Sequence, residues 1–385
     1  MLRFALVLVS AARATALAAP ARRAPALTLY RDNNGWCPFC ERVWIALEKK
    51  GVPYDEVLIN LQNKPAWYLE MVPTALVPAV EFHDEDWSDG VRGSGALVWE
   101  SADILSALDE RFGDPLVGAE SPAQKAALAT SFGFVYGNTT DAAAADAAAA
   151  AFSEALDGLD AALAANGARG EGPFINGAMT AADLELIPTM ERFAHQLAVL
   201  KPDFPEMTAG RPALATWFDA VARDPAYATR VAGDAYSWTA VTSSFLRIFA
   251  KEEDEETAAK IARADAAAAA LLVACRADGA AFACADARAD AADALEKNRA
   301  RVAADAADPK PKTQAHVPRC LGVRSADRAI DVTLRALRSG DLGDALDGDA
   351  RVAATAIAAR LCAPRDMGAP AAAALRHALL RLAAE

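Results

Sequence analysis

The sequence of 385 residues predicts an α/β domain followed by helices alone. Strand-like and helix-like segments alternate over residues 27–113, no strand pattern follows residue 120, and alanine dominates the last third of the chain. Strands alternating with helices imply a partly parallel sheet, and two successive strands add an antiparallel edge. We therefore expect a βαβαββα domain, then an all-α domain, then an Ala-rich helical extension.

The elements of the first domain follow from apolar periodicity and from residues that start or stop helices. The predicted strands cover residues 27–30, 54–59, 77–82 and 91–99, and the predicted helices cover 38–50, 64–72 and 101–112. The first helix is expected to stop at Gly51, which Pro53 follows. Ser101 is the expected N-cap of the third helix.

The second domain is expected to contain helices at residues 121–136, 140–165, 180–198 and 211–222. Thr180 and Asp183 have the spacing of a capping box at the start of the third of these helices. The expected domain limits are 27–113, 120–245 and 257–385, with a charge run at 251–256 before the last. For residues 257–385, whose role the sequence does not indicate, an amphipathic bundle and a weakly folded low-complexity tail both stay open.

Composition argues against several classes of protein. A net charge of -13 disfavours nucleic acid as a partner, since that affinity depends on neutralised phosphates. Alanine accounts for 98 residues, and we expect no run of about 20 apolar residues and hence no spanning segment. Six cysteines are too few for a disulfide scaffold. Of 27 aromatic residues, 26 precede residue 251, so we expect the functional site there.

The N-terminus has the pattern of a leader. Arg3 precedes a short apolar run, and small residues at 16–18 suit cleavage, so residues 1–20 are predicted to be a signal or targeting peptide. The acid-free ARRAPA that follows fits a two-part plastid address. We expect plastid or secretory targeting and otherwise a cytoplasmic location, while an ordinary N-terminus without a signal stays open.

A Cys-x-x-Cys motif lies where the first strand gives way to the first helix. Cys37 at a helix N-terminus faces unpaired N–H groups and the positive end of the helix dipole, which favour the thiolate. Pro38 suits the first helical position. Cys40 is either a resolving thiol or a small buried side chain. Zinc is not favoured, because no second Cys or His pair lies nearby in the sequence, and no metal is expected.

Two further positions fit an extended peptide with an amino-acid head. A cis Val77–Pro78 bond would leave backbone groups free for such a peptide, although a trans strand-entry proline is the simpler alternative. Ser101 and the N–H groups of its helix suit a carboxylate, and Glu100 suits an ammonium group. Lys64 is a candidate for a second carboxylate or is a solvated side chain.

Residues 27–225 resemble the cytosolic-type glutathione transferases, and most closely the cysteine-type lambda and omega classes. The segments that carry the resemblance are WCPFCERVWIALEKKG, LQNKPAWYLEMV, LVPAVEF, WESADILSALDERF and FINGAMTAADLELIPTMERF. The resemblance implies a thioredoxin-like N-terminal domain, an all-α glutathione transferase C-terminal domain, and glutathione as co-substrate. The extension has no counterpart in the family.

The resemblance also implies residue roles. Cys37 would form a mixed disulfide with glutathione, Val77 and Pro78 would hold its cysteinyl portion, Glu100 and Ser101 would bind its γ-glutamyl head, and Lys64 would lie near its glycyl carboxylate. Many lambda and omega members lack the second cysteine, so one-thiol and two-thiol cycles both stay open here.

The expected function is that of a glutathione-dependent thiol transferase, which reduces small disulfides or glutathione adducts. Dehydroascorbate reduction and a non-enzymatic ligand carrier or scaffold are the alternatives. The chloride intracellular channel family also carries C-P-F-C, but Glu100-Ser101 fits the transferase pattern better. The expected partners are glutathione and a small or glutathionylated second substrate, and the chain is expected to be a monomer or homodimer. The extension is a candidate surface for another protein.

The second substrate is expected to bind between the two domains near Cys37. Its candidate apolar walls are four aromatic residues that also fit ordinary core positions: Trp36, Trp99, Phe193 and Trp217.

Overall fold

The structure is a computed structural model. It describes residues 24–83, 95–137, 141–249, 254–308, 317–318, 322–343, 345–346 and 348–384. The predicted leader at residues 1–20 and the start of the predicted strand at 91–99 lie outside the described residues.

The first unit has the predicted order of strands and helices. Its elements are β1 (Leu27–Asp32), α1 (Pro38–Lys50), β2 (Tyr54–Ile59), α2 (Ala66–Met71), β3 (Ala79–Phe82), β4 (Ala96–Trp99) and α3 (Ser101–Phe112). The sheet order is β2-β1-β3-β4, with β1 and β2 parallel and the other pairs antiparallel. β3 begins two residues later than predicted, because Pro78 has no N–H to donate to a ladder.

The second unit is helical, as predicted. Its helices are α4 (Pro122–Tyr136), α5 (Ala142–Ala168), α6 (Ala181–Leu200), α7 (Pro212–Arg223), α8 (Pro225–Ala228) and α9 (Ala235–Phe249). Thr180 and Asp183 form the predicted capping box of α6. The Asp183 carboxylate also accepts hydrogen bonds from Ile175 N at 3.0 Å and Trp217 Nε1 at 2.9 Å. Trp217 is therefore a core residue, with 1% of its surface exposed.

The first two units share one hydrophobic core. α1 packs against α6, and two ion pairs cross this contact. Glu41 pairs with Arg192 where both side chains are buried, and Arg42 pairs with Glu185 at 3.0 Å at its edge. α1 consequently packs on two sides, against its own sheet and against the helical unit.

The C-terminal residues form a packed bundle rather than a loose tail. Its helices are α10 (Glu255–Ala277), α11 (Ala280–Ala283), α12 (Ala285–Lys297), α13 (Arg299–Ala307), α14 (Val323–Ser339), α15 (Gly348–Arg360) and α16 (Ala369–Leu382). α16 is buried along most of its length and contacts α10, α11, α12, α14 and α15. Leu334 and Leu337 of α14 lie in this second core, which also contains Tyr236 and Ala240 from α9.

One helical stretch, Glu255–Ala283, is long and apolar enough to cross a membrane by length and composition, and 17% of its most apolar window is buried. The expectation that no segment is long and apolar enough to span a membrane is wrong, because alanine is mildly apolar and fills this stretch. In the structure the stretch consists of α10 and α11 of the bundle, where Ala268 and Leu272 pack into the second core.

Candidate active site

Cys37 is the N-cap residue of α1, with Pro38 at the first helical position. Proline fits there because its missing N–H would have no partner in the helix, and its fixed φ suits the helix. The Cys37 side chain is half-buried, and both it and Cys40 are free thiols. The position expected from the sequence is thus the position in the structure.

The two thiols of the motif have opposite pKa shifts. The Cys40 thiol hydrogen-bonds Cys37, which lowers the pKa of Cys37 and outweighs burial and the charge of Asp32. Backbone N–H groups of Cys40 and Phe39 also lower it. Burial, together with the hydrogen bond to Cys37, raises the pKa of Cys40 well above its ordinary value. Cys37 is therefore the more acidic thiol of the pair, and Cys40 is the less acidic one.

Asp32 organises the loop before Cys37, a role that the sequence analysis missed. Its buried carboxylate accepts a hydrogen bond from Trp36 N at 2.8 Å. The same carboxylate opposes ionisation of both thiols. The signal was a charged residue at the end of an apolar strand, directly before the Cys-x-x-Cys motif.

Arg42 is a second residue that the sequence analysis missed. Burial lowers the pKa of its guanidinium, and the negative charges of Glu185 and Cys37 oppose that shift. Arg42 lies one turn beyond the N-terminus of α1, so its cation is within electrostatic range of the Cys37 sulfur. A neighbouring cation favours the thiolate.

The Val77–Pro78 peptide bond is cis, as one of the two alternatives expected. Cys37 Sγ lies 4.0 Å from the Val77 carbonyl oxygen. Tyr68, on α2, donates a hydrogen bond from its hydroxyl to the carbonyl of Leu76 at 2.6 Å. That contact ties the segment before the proline to α2 and fixes it next to the thiol pair.

Glu100 and Ser101 lie next to the Val77–Pro78 segment because β3 and β4 are paired in the sheet. Ala79 pairs with Trp99 at the end of the β3–β4 ladder, so Pro78 and Glu100 are the next residues on the two strands. Glu100 has a φ of 66°, an uncommon conformation for a residue other than glycine, and such outliers cluster at functional sites. Glu100, not Ser101, is the N-cap position of α3, so the expected N-cap assignment is wrong by one residue.

Lys64 is the site residue that the structure connects least to the others. It lies in the loop before α2 and is half-buried. Among the described residues, it forms no hydrogen bond and no ion pair. The structure thus brings six of the seven predicted residues into two adjacent groups, and a role for Lys64 stays a prediction.

The arrangement suits thiol–disulfide exchange, because it combines a thiol of lowered pKa, a second thiol beside it and an adjacent strand end where a peptide can bind. Across the parts of the chain that the structure describes, no group of His, Cys, Asp and Glu residues is positioned to hold a metal ion.

Known proteins match the same region of the chain. The family model described as glutathione S-transferase, N-terminal domain, matches residues 36–111, and the one described as glutathione S-transferase, C-terminal domain, matches residues 142–220. Glutathione S-transferase L3 of Arabidopsis thaliana is 30% identical over 207 residues, which cover 50% of this chain and 77% of that protein. The chain belongs to the glutathione S-transferase family.

Other relatives carry a different class name. The chloroplastic glutathione S-transferase DHAR3 of Arabidopsis thaliana is 34% identical over 161 residues, 41% of this chain and 55% of that protein. The chain spans between 53% and 62% of the length of the chloroplastic relatives it matches. The crystal structure of Chlamydomonas reinhardtii dehydroascorbate reductase has 25% sequence identity and a TM-score of 0.44, covering 52% of this chain and 90% of that one.

Proposed function

We propose that the chain is a glutathione-dependent thiol transferase that works through a Cys37–glutathione mixed disulfide. The environment of Cys37 carries this proposal: its pKa is lowered by the Cys40 thiol, and its sulfur lies 4.0 Å from the carbonyl of Val77. The thiolate is the nucleophilic form of cysteine, so this sulfur is the one prepared to react.

In this proposal glutathione binds along the strand end next to Cys37. Its cysteinyl portion pairs with the backbone at Val77 and Pro78, as extended peptides pair with strand edges. Its γ-glutamyl head lies at the N-terminus of α3, where the ammonium group meets Glu100 and the carboxylate meets the N–H groups that start at Ser101. Lys64 approaches the glycyl carboxylate.

The reaction begins when the Cys37 thiolate attacks the glutathione sulfur of a substrate GS–SR. The S–S bond breaks, RS⁻ leaves and takes up a proton, and the Cys37–glutathione disulfide remains. A second glutathione thiolate then attacks the glutathione sulfur of that disulfide and releases oxidised glutathione and the Cys37 thiolate. The sum is GS–SR + GSH → GSSG + RSH. A low pKa helps twice, because it enlarges the thiolate fraction and makes Cys37 a good leaving group.

Cys40 offers a second route for the regeneration of Cys37. Its thiol attacks Cys37 in the mixed disulfide, glutathione leaves as GSH, and a Cys37–Cys40 disulfide forms that two further glutathione molecules reduce. The raised pKa of Cys40 works against this route while the pair is buried. We therefore propose the one-thiol cycle as the main one.

Activity with hydroxyethyl disulfide and mass spectrometry test the proposal. Wild type incubated with oxidised glutathione should gain one glutathione on Cys37, Cys37→Ser should lose the adduct and the turnover, and Cys40→Ser should keep both. Full turnover by Cys37→Ser would refute the mechanism, and unchanged ligand binding by a protein with no turnover would support the carrier alternative.

Dehydroascorbate reduction is the second candidate, because several relatives bear the DHAR name. The Cys37 thiolate would add to a carbonyl carbon of dehydroascorbate, and one glutathione would attack the Cys37 sulfur, break the C–S bond and release ascorbate. A second glutathione would then reduce the Cys37–glutathione disulfide, so that the sum is dehydroascorbate + 2 GSH → ascorbate + GSSG. Parallel assays with dehydroascorbate and hydroxyethyl disulfide on the same preparations separate the two activities, since a dehydroascorbate reductase should show the larger kcat/KM with dehydroascorbate.

We also propose a plastid or cytosolic location. The relatives include proteins named as chloroplastic and as cytosolic. Fusion of residues 1–26 to a fluorescent protein in a plastid-bearing cell tests this, because plastid import requires the fusion to enter the organelle and a cytosolic location requires it to stay outside.

A further inference from the structure

A cavity of about 230 Å³ lies where the loop before Cys37 meets the C-terminal bundle. Three parts of the chain form its walls. Trp36, the neighbour of Cys37, lines one side, and α9 lines another with residues that include Val241 and Ser244. The third side belongs to the end of α15 and the segment that follows it, with Arg360 and Arg365 among the lining residues.

The segment between α15 and α16 contacts the backbone of the Cys37 loop. A Cβ atom at Gly35 would lie 3.3 Å from Arg365 N and 3.3 Å from Pro364 Cγ, so the two backbones are in close contact. Arg230 donates a hydrogen bond to the Pro364 carbonyl at 2.5 Å. The bundle thus reaches a residue two positions before Cys37.

α9 fixes this segment in place. Tyr236 donates a hydrogen bond to the carbonyl of Ala359 at 2.6 Å, and Ser237 Oγ accepts one from Ala363 N at 2.8 Å. Arg376 of α16 forms a buried ion pair with Asp234, just before α9, at 2.9 Å. The wall that the extension contributes is therefore anchored by buried polar contacts.

The lining combines an apolar face with two arginines and one acidic residue, Asp305, which pairs with Arg360 at 3.8 Å. The Trp36 ring packs edge-on against Phe245 at 5.2 Å, in a cluster with Val241 and Cys362. The Trp36 indole nitrogen is buried and has no hydrogen-bond partner among the described residues. Arg360 and Arg365 each pair with one carboxylate, and each guanidinium retains further N–H donors.

The size and chemistry of the cavity indicate its occupant. Its volume is below the roughly 300–1,000 Å³ of pockets for drug-sized ligands, so it suits a small group rather than a protein segment. An aromatic ring would pack against Trp36, and a carboxylate would take the free N–H donors of the two arginines. Trp36 lines the cavity and directly precedes Cys37 in the chain, which places the cavity next to the residue that is proposed to react.

We propose that this cavity binds the departing half of the second substrate, so that the C-terminal extension selects which glutathione adducts the chain reduces. The preferred adducts carry a small aromatic thiol with a carboxylate. This inference rests on the proposed thiol transferase function and adds to it a substrate class and a binding site that the extension helps to form.

Two mixed disulfides of glutathione test the inference, one with 4-mercaptobenzoate and one with 2-mercaptoethanol. Ser244→Trp fills the cavity from the half-buried side of α9, and Arg365→Met removes one cation while it keeps the aliphatic stem. Arg247→Trp on the exposed side of α9 and Arg338→Met on α14 are the matched controls. Each variant is compared with wild type on each substrate, which removes the intrinsic difference between the leaving groups.

The measured quantity is the kcat/KM for the aromatic adduct divided by the kcat/KM for the 2-mercaptoethanol adduct. We expect Ser244→Trp to lower this ratio about tenfold or more, mainly through a higher KM for the aromatic adduct. Arg365→Met should lower the same ratio about tenfold, the scale of a lost hydrogen bond to a charge. The 4-mercaptobenzamide adduct should be insensitive to Arg365→Met. The control variants should keep the wild-type ratio.

An unchanged ratio in both cavity variants, or an equal change in the controls, overturns the inference while the thiol transferase function stands. Wild type that turns over neither adduct overturns the proposed function, and the inference falls with it. If circular dichroism finds Ser244→Trp unfolded, the ratio in Arg365→Met and its response to the benzamide adduct decide.

Discussion

Replacement of Cys40 by alanine removes the donor that does most to lower the pKa of Cys37. A hydrogen bond to a charged group contributes about 1.5–3 kcal/mol, and one pKa unit corresponds to 1.36 kcal/mol. Because a thiol is a weak donor, the lower end of that range applies, and we expect the pKa of Cys37 to rise in the variant. The thiolate fraction near neutral pH should then fall up to tenfold.

The rate of alkylation by iodoacetamide measures this pKa as a function of pH. The rate rises with pH as the thiol ionises and reaches a plateau above its pKa, so the midpoint should lie at higher pH in Cys40→Ala than in wild type. Cys37→Ser gives the background from other cysteines. Cys40→Ser is the matched control, since its hydroxyl restores a donor and should return the midpoint toward that of wild type. A midpoint in Cys40→Ala equal to or below that of wild type would refute the assigned role of Cys40.

Three further predictions concern buried charges. Arg192→Met leaves the Glu41 carboxylate buried without its cation and should lower the free energy of unfolding by about 3–5 kcal/mol, as measured by urea denaturation, with a smaller loss in the double variant that also carries Glu41→Gln. Asp183→Ala removes the acceptor of three buried donors and should cost about 2–5 kcal/mol in the same assay, whereas a cost below 1 kcal/mol would contradict its place in the capping box and core. Arg376→Met should loosen the bundle by breaking the buried pair with Asp234, and limited proteolysis should then cut between the second unit and the bundle faster than in wild type.

The strands and helices of the first unit were predictable because their signals are local. α1 begins at Pro38 and ends before Gly51, whose φ of 60° a glycine adopts without strain, and both residues are visible in the sequence. The capping box of α6 has an equally local signature. The predicted start of β3 at Val77 was wrong, although its cause is also local, because Pro78 has no N–H to donate to a ladder.

The site was predictable in its sulfur chemistry and not in its surroundings. Two cysteines at a strand–helix junction make Cys37 the predicted reactive thiol, and the structure places it at the N-cap of α1 as expected. Asp32 and Arg42 depend on burial and on a neighbour in a distant helix, which no local pattern contains. The positive φ of Glu100 is equally hidden, since glutamate gives no sign that its backbone will adopt it.

The cavity beside Trp36 was beyond the sequence for a different reason. Its walls come from residues more than three hundred positions apart in the chain. The segment that closes it lies in an Ala-rich region without a distinctive sequence pattern. The sequence predicts helices in this region, but it does not predict that the segment after α15 contacts Gly35.

α9 belongs to two hydrophobic cores at once, since Leu246 packs in one and Tyr236 packs in the other. The transferase unit and the bundle are consequently coupled in folding: neither core is complete until the other side of α9 is covered. Removal of the bundle would expose Tyr236 to water and would remove Arg376, the ion-pair partner of Asp234. A shortened chain would therefore lose stabilising contacts of α9 in addition to the bundle itself. Heat should melt both parts in one cooperative transition, because α9 contributes to both cores.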